Sequence, residues 1–123
     1  MNYTVNIKEA SKELTAKERL LLKDTTNAIK IDEATQSAPL IIKPAMYAIL
    51  DIHNEKSDNI DYENYIVVDT EGNAYVTGST SFWKSFIDIY TEMQDSNEEY
   101  AIKVYRRPST NYKGKEFITC TVV

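Results

Sequence analysis

The sequence predicts a mainly β fold with helices, of the α+β class, and three observations carry that expectation. Segments dense in β-branched and aromatic residues recur from residue 46 onward, with turn residues between them. One stretch, residues 82–93, changes to a helical period. At 123 residues, 42% hydrophobic and 27% charged, the chain suits one domain that buries a core without disulfide or metal support.

Each element has a local reason. Residues 3–7 (Tyr-Thr-Val-Asn-Ile) suit a short strand or a loose arm. Thr15 to Glu18 has capping-box form: the Thr15 hydroxyl accepts from the Glu18 backbone N–H while the Glu18 carboxylate reaches back. A helix over about 16–24 follows, carrying Leu20, Leu21 and Leu22. Asp24, Thr25, Thr26 and Asn27 end it, because their side chains compete for backbone hydrogen bonds. Residues 28–32 alternate apolar and polar, the period of a half-buried strand. Pro39 and Pro44 bracket a brief Leu40, Ile41, Ile42 run, and neither proline can donate to a ladder. Residues 46–53 are long enough for a strand buried on much of both faces. A polar surface loop, 54–63, separates them from strands at 64–69 and 74–77. These two form a hairpin around Thr70, Glu71, Gly72 and Asn73, with Gly72 free to take a positive φ.

At Gly78 the period changes. Ser79, Thr80 or Ser81 caps a helix whose Phe82, Trp83, Phe86, Ile87, Tyr90 and Met93 recur at spacings of three and four. Two last strands, 100–106 and 116–123, flank a loop at 107–115. The order from residue 46 is therefore strand, strand, strand, helix, strand, strand. That is the order of an OB-fold, a five-stranded Greek-key barrel whose helix lies between its third and fourth strands. An α+β sandwich and a split βαβ unit share similar orders. The expectation is one domain over 1–123, with 1–45 as an N-terminal helical and strand extension and 46–123 as the OB-like barrel core.

Composition bounds the function. Cys120 is the single cysteine, which excludes an intrachain disulfide framework and a Cys-rich zinc site and points to a reducing, cytoplasmic home. No run of about 18 apolar residues occurs and the first residues show no signal-peptide pattern, so a soluble, unexported chain with no membrane partner is expected. Catalysis finds few candidates. His53 is the single histidine, at the end of a strand beside a polar loop, and Cys120 shares the apolar phase of Ile118 and Val122 as a small buried hydrophobe. Asp51 and His53 share a strand face but lack a third ligand. Asp58, Asp61 and Glu63 read as solvated loop carboxylates. No Gly-rich phosphate loop or hydrolase motif is present. A non-enzyme without cofactor or metal is expected.

Net charge is −5, which at first sight disfavours a nucleic-acid partner. The charge is segregated, however. Residues 1–45 carry seven basic and six acidic side chains, residues 46–100 two and twelve, and residues 101–123 five and one. Fields at physiological salt decay over about 8 Å, so the basic C-terminal segment acts locally. Alternation places Ile102 and Val104 on one face of its strand and Lys103, Tyr105 and Arg107 on the other. Phe117 has the phase to join the second face, and Asn111, Tyr112, Lys113 and Lys115 crowd the loop around Gly114. Cations for phosphates and flat rings for bases are what a single strand of nucleic acid requires. Lysines on an exposed edge strand also block edge-to-edge pairing, which is the competing explanation. Tyr75 alternates against Ala74 and Val76, so it is a candidate for the exposed sheet face, either stacking a base or pairing with Tyr65. Trp83 and Phe86 read as core.

Three stretches carry a family likeness: residues 14–18 (Leu-Thr-Ala-Lys-Glu), 77–83 (Thr-Gly-Ser-Thr-Ser-Phe-Trp) and 108–120 (Pro-Ser-Thr-Asn-Tyr-Lys-Gly-Lys-Glu-Phe-Ile-Thr-Cys). In these the chain resembles phage-type single-stranded DNA-binding proteins of the small OB-fold kind. The resemblance implies non-catalytic protection of DNA during phage replication or recombination, in the host cytoplasm, with host or phage replication proteins as further partners. Lys103, Arg106, Arg107, Lys113 and Lys115 then track phosphates, and Tyr105, Tyr112 and Phe117 stack bases. Many such proteins end in a flexible acidic tail that recruits partners. Here residues 119–123 read as strand, which puts tail-mediated recruitment in question. A second function class stays open: a phage-encoded acidic inhibitor or adaptor, its middle segment mimicking nucleic acid toward a host protein. DNA versus RNA preference and oligomeric state are left open.

Overall fold

The computed structural model describes residues 3–123; the reading of Met1 and Asn2 lies outside them. In chain order the elements are β1 (Tyr3–Ala10), α1 (Ala16–Lys23), β2 (Ile29–Lys30), α2 (Ile31–Ala34), β3 (Leu40–Ile42), β4 (Pro44–Asn54), β5 (Asp61–Asp69), β6 (Ala74–Thr77), α3 (Thr80–Gln94), β7 (Ile102–Pro108) and β8 (Glu116–Val122). The class is mainly β with helices, as expected. The strands form two sheets, β1-β4-β5-β6-β2 and β3-β7-β8. The expected five-stranded barrel is not what the sheets form: among the described residues neither sheet closes. β5 and β6 pair in one sheet and β7 and β8 in the other, so no single ladder runs round all five strands. The chain divides into two compact units, one from the residues up to Ile29 with Ala45–Gly78, the other from Lys30–Pro44 with Ser79–Val123. The 1–45 stretch is thus shared between both units.

In the first unit the N-terminal segment is a true strand, antiparallel to β4 from Tyr3↔Asn54 to Ala10↔Ala48, with a register shift between Ile7 and Glu9. Met46, Ala48, Leu50 and Ile52 of β4 alternate onto one face, joined by Ile66, Val76 and Leu22 in a buried cluster. The capping box forms as expected: the Glu18 N–H donates to Thr15 Oγ1 (3.1 Å) and the Thr15 N–H to Glu18 Oε1 (3.0 Å). Of the three consecutive leucines only Leu22 is buried; Leu20 and Leu21 are exposed, since one side of a short helix meets the sheet.

Asp69 organises the β5–β6 turn. Its carboxylate accepts from the backbone N–H groups of Glu71 (2.9 Å) and Asn73 (2.8 Å), the Asn73 amide (3.1 Å) and the Tyr75 hydroxyl (3.0 Å). Gly72, at φ +90°, supplies the left-handed residue that closes the turn. Tyr75 is therefore buried rather than on an exposed sheet face, and it stands opposite Val67. Its ring is buried and its hydroxyl serves Asp69.

The second unit departs from expectation at its start. Residues 28–32 do not make one strand: β2 is two residues long and Ile31 opens a single helical turn. Ile31 is fully buried and Thr35, four residues on, is buried with it, its hydroxyl donating to the Ile31 carbonyl (2.8 Å). α3 begins at Ser79, whose Oγ accepts from the Phe82 N–H (3.2 Å). Phe82, Phe86 and Tyr90 are its buried residues, and Trp83 stacks on Phe86 with ring centroids 5.2 Å apart. No helix among the described residues is long and apolar enough to cross a membrane.

The Asp69 network sets an acid dependence. Burial opposes its ionisation, but the bonds from Asn73, Tyr75 and Glu71 outweigh that and hold the carboxyl below its ordinary value. A depressed folded pKa stabilises the fold above the unfolded value of about 4 and the contribution is lost as pH falls through the folded one. Asp69→Ala is expected to lower unfolding free energy at pH 7 by about 1–3 kcal/mol and to flatten the loss of stability below pH 4. Urea unfolding at pH 7 and pH 3 measures both.

Candidate nucleic-acid interface

The β7–β8 hairpin sorts its side chains by register. Ile102↔Val122, Val104↔Cys120 and Arg106↔Ile118 pair in one phase; Lys103↔Thr121, Tyr105↔Thr119 and Arg107↔Phe117 pair in the other. The first phase is buried from Ile102 to Cys120. Burial pushes the Cys120 thiol up to about 12, so it packs as a small hydrophobe with almost no thiolate. β3 adds Ile42 to the buried phase and the exposed Ile41, opposite Lys103, to the other.

β8 is the edge of this sheet, and α3 covers it. Ser81 Oγ donates to the Ile118 carbonyl (2.8 Å) and Ser85 Oγ lies 2.9 Å from Thr119 Oγ1. Ser81 thus satisfies a backbone carbonyl of an edge that would otherwise invite another strand, and Ser85, one helical turn on, meets a β8 side chain. The second-phase face is partly open, with Arg107 and Thr121 exposed and Lys103, Tyr105, Phe117 and Thr119 half-buried.

That face brings together Lys103, Tyr105, Arg107 and Phe117. Lys103 Nζ sits 5.7 Å from the Tyr105 ring centroid, within the range of a cation–π contact. Arg107 stands directly across from Phe117. Beyond them the loop is closed by the Ser109 N–H donating to the Lys115 carbonyl (2.8 Å) and the Lys115 N–H to the Tyr112 carbonyl (3.1 Å). Ser109 Oγ accepts from the N–H groups of Asn111 and Tyr112, both at 3.3 Å. Gly114, at φ +80°, permits the return. Held this way, Asn111, Tyr112, Lys113 and Lys115 are all exposed, Tyr112 to 69%.

Arg106 differs from the other basic residues. It lies in the buried phase, and its guanidinium turns to α2: Nη2 donates to the Asp32 carbonyl (2.6 Å) and Nε to Thr35 Oγ1 (3.3 Å). Its first task is to hold the α2 turn. Tyr75 belongs to the first unit and is not part of this face. The residues that sequence reasoning missed are those of the segment after α2, Thr35, Gln36 and Ser37, which with Lys103, Tyr105 and Arg106 line a cleft of about 330 Å³. Reading residues 28–32 as strand hid them, and no local pattern tied them to β7.

The other titratable cluster lies in the first unit. His53 Nδ1 is 2.7 Å from Asp61 Oδ1, and Nε2 is 3.7 Å from Glu55. The Asp61 bond, against a small burial cost, raises the imidazole above its ordinary value. Among the described residues no group of three His, Cys, Asp or Glu side chains is arranged to hold a metal ion.

Comparison with known proteins adds one short likeness. Residues 57–82 match the family described as a beta-propeller repeat (SBBP), about a fifth of the chain. The window takes in β5, the Gly72 turn and β6 and ends as α3 begins, so it holds one hairpin where a propeller blade has four strands. No curated protein and no solved structure matches the chain.

If Arg106 holds the α2 turn, Arg106→Ala removes two bonds from a charged donor, at a cost of about 1.5–3 kcal/mol. Hydrogen exchange should then accelerate at the Thr35 and Gln36 amides, which donate to the Ile31 and Glu33 carbonyls, with the β7–β8 amides unchanged. Unchanged exchange at both positions would show that the turn stands without it.

Proposed function

We propose that this chain binds single-stranded DNA with tolerance for sequence and without catalysis, as the phage-type proteins it resembles do. The observation that carries the reading is the shared face of the β7–β8 hairpin, where Tyr105 lies between Lys103 and Arg107 with Phe117 across from Arg107, and the loop adds Tyr112 beside the exposed Lys113 and Lys115. A polynucleotide offers a phosphate and a flat base at each step, and a strand face that repeats cation and ring matches that repeat. On this reading β4, β5, β6, α3, β7 and β8 keep the element order of an OB-fold, and residues 109–115 take the place of the loop that flanks its oligonucleotide face. Host or phage replication proteins are partners of the same reading.

Half-buried Lys103 and exposed Arg107, Lys113 and Lys115 track phosphates, with Arg106 contributing what its bonds to α2 leave over. Four neutralised phosphates give a slope of log K against log salt of about −3 for a single strand. Fluorescence anisotropy of labelled oligo-dT over a salt series measures it. Tyr112→Ala should weaken binding by about 1–3 kcal/mol at unchanged slope, whereas Lys113→Ala should make the slope shallower by about 0.7. Absence of binding at low salt, or affinity indifferent to salt, sinks the proposal.

A second reading draws on the first unit, where Asp51, Asp61 and Glu63 line one shallow cleft beside His53. An acidic inhibitor or adaptor that occupies a basic site on a host protein would use such a face. A host protein captured after nuclease treatment and lost on Asp51→Asn with Glu63→Gln supports this alternative.

A further inference from the structure

Helix α1 buries one side and leaves another bare. Leu22 packs into the core, while Leu20 and Leu21 stay 69% and 65% exposed. Positions i, i+3, i+4 and i+7 of a helix form one stripe, and from Lys17 that stripe runs Lys17, Leu20, Leu21, Asp24. All four residues are exposed. Asp24 is the C-cap of α1, and the Thr26 N–H donates to its Oδ1 (3.1 Å), which holds the carboxylate at the end of the stripe. The Thr26 hydroxyl and N–H keep the carboxyl below its ordinary value, so it is charged at neutral pH. Beside Leu21 the surface is hollowed. Leu21, Leu22, Met46, Val68 and Ala74 line a mostly apolar recess of about 180 Å³.

We infer that α1 is a self-association surface, on which the stripe from Lys17 to Asp24 packs antiparallel against the same stripe of a second copy of this chain. The stripe is its own complement. A two-fold axis passing between Leu20 and Leu21 sets Lys17 of each copy against Asp24 of the other, and Leu20 of each against Leu21 of the other. Parallel pairing would instead oppose lysine to lysine and aspartate to aspartate, so charge selects the antiparallel arrangement. In that arrangement Leu20 of the second copy meets Leu21 and stands over the recess beside it. Single exposed leucines are ordinary on a soluble surface. A contiguous pair, next to an apolar recess and framed by opposite charges, is a different feature. An unrelated partner would need both charges in reversed order, which a second copy supplies by symmetry. At eight residues α1 is about 12 Å long, so the contact falls in the small class below about 1,200 Å² and the dimer exchanges readily with monomer. The surface uses none of the residues assigned to the single strand.

The test is sedimentation velocity of the full chain without DNA, over concentrations from about 5 to 500 μM, the range in which a weak dimer forms and dissociates. A monomer–dimer equilibrium is expected. Leu20→Glu should weaken it about tenfold or more, because the two-fold axis places the change in the interface twice. Lys17→Asp and Asp24→Lys should each weaken self-association, since either one leaves like charges facing at both ends of the stripe. Mixed in equal amounts, these two variants are expected to associate about as strongly as the unaltered chain, because each then meets its opposite. That recovery also shows that both variants fold. An unaltered chain that stays monomeric across the series overturns the proposal, and so does a dimer that Leu20→Glu leaves as strong as before. Loss of the dimer in both charge variants without recovery in their mixture overturns the antiparallel pairing on which the surface depends.

Discussion

The registration of β8 on β7 is the constraint on which the second unit depends. Side chains alternate across a strand, so a slip of β8 by one residue would send Ile118 and Cys120 to the open face and draw Phe117, Thr119 and Thr121 inward. Burial forbids it: Ile102 and Val104 are fully buried, and Ile118 and Cys120 nearly so. Separation of rings and cations from the core is thus a by-product of packing. The loop secures the same register from its other end, because the Ser109–Lys115 bond continues the ladder past Pro108↔Glu116. α3 then closes the free edge of β8 through Ser81, and what remains open is one face of the hairpin and the loop beyond it.

The hairpin was legible in the sequence because its information is local. Alternation, a loop with glycine and two β-rich flanks need no distant partner to be read, and the capping box at Thr15 and the Ser79 cap are equally local. The failures share a cause. Residues 28–32 alternate like a strand, yet Ile31 is buried by starting a helical turn that positions Thr35 under Arg106, 71 residues away along the chain. Tyr75 alternates like an exposed residue, but its burial is fixed by a turn carboxylate six positions earlier. Leu20, Leu21 and Leu22 are chemically identical, and only the direction of the sheet decides that Leu22 is the one enclosed. The five-stranded barrel failed in the same way: element order is read from sequence, but strand pairing is a long-range property that the order alone leaves open.

Arg106 shows how one residue changes meaning between sequence and structure. By composition it belongs with Lys103 and Arg107 as a cation for phosphate. By phase it belongs with Ile102 and Val104, and its guanidinium is drawn to a backbone carbonyl and a hydroxyl. A guanidinium has five donors in a fixed fork, so two bonds to α2 leave donors for the cleft, now held in place rather than free to rotate. A lysine there would offer a mobile point charge instead. On the proposed reading the same residue would hold the α2 turn and keep donors for a phosphate.

The balance of charge and rings decides which force leads in the proposed complex. A micromolar complex requires about 8 kcal/mol of net binding. Four cations, three of them exposed, on a chain of net charge −5 give limited long-range attraction, and salt near 0.15 M screens it beyond about 8 Å. Three rings, Tyr105, Phe117 and Tyr112, offer about 1–3 kcal/mol per stacked base, or about 3–9 kcal/mol together, before the cost of ordering an exposed loop. Stacking must therefore supply the larger share, with the cations setting where the backbone runs. A chain built this way tolerates an acidic overall composition, because stacking is short-ranged and does not sense it.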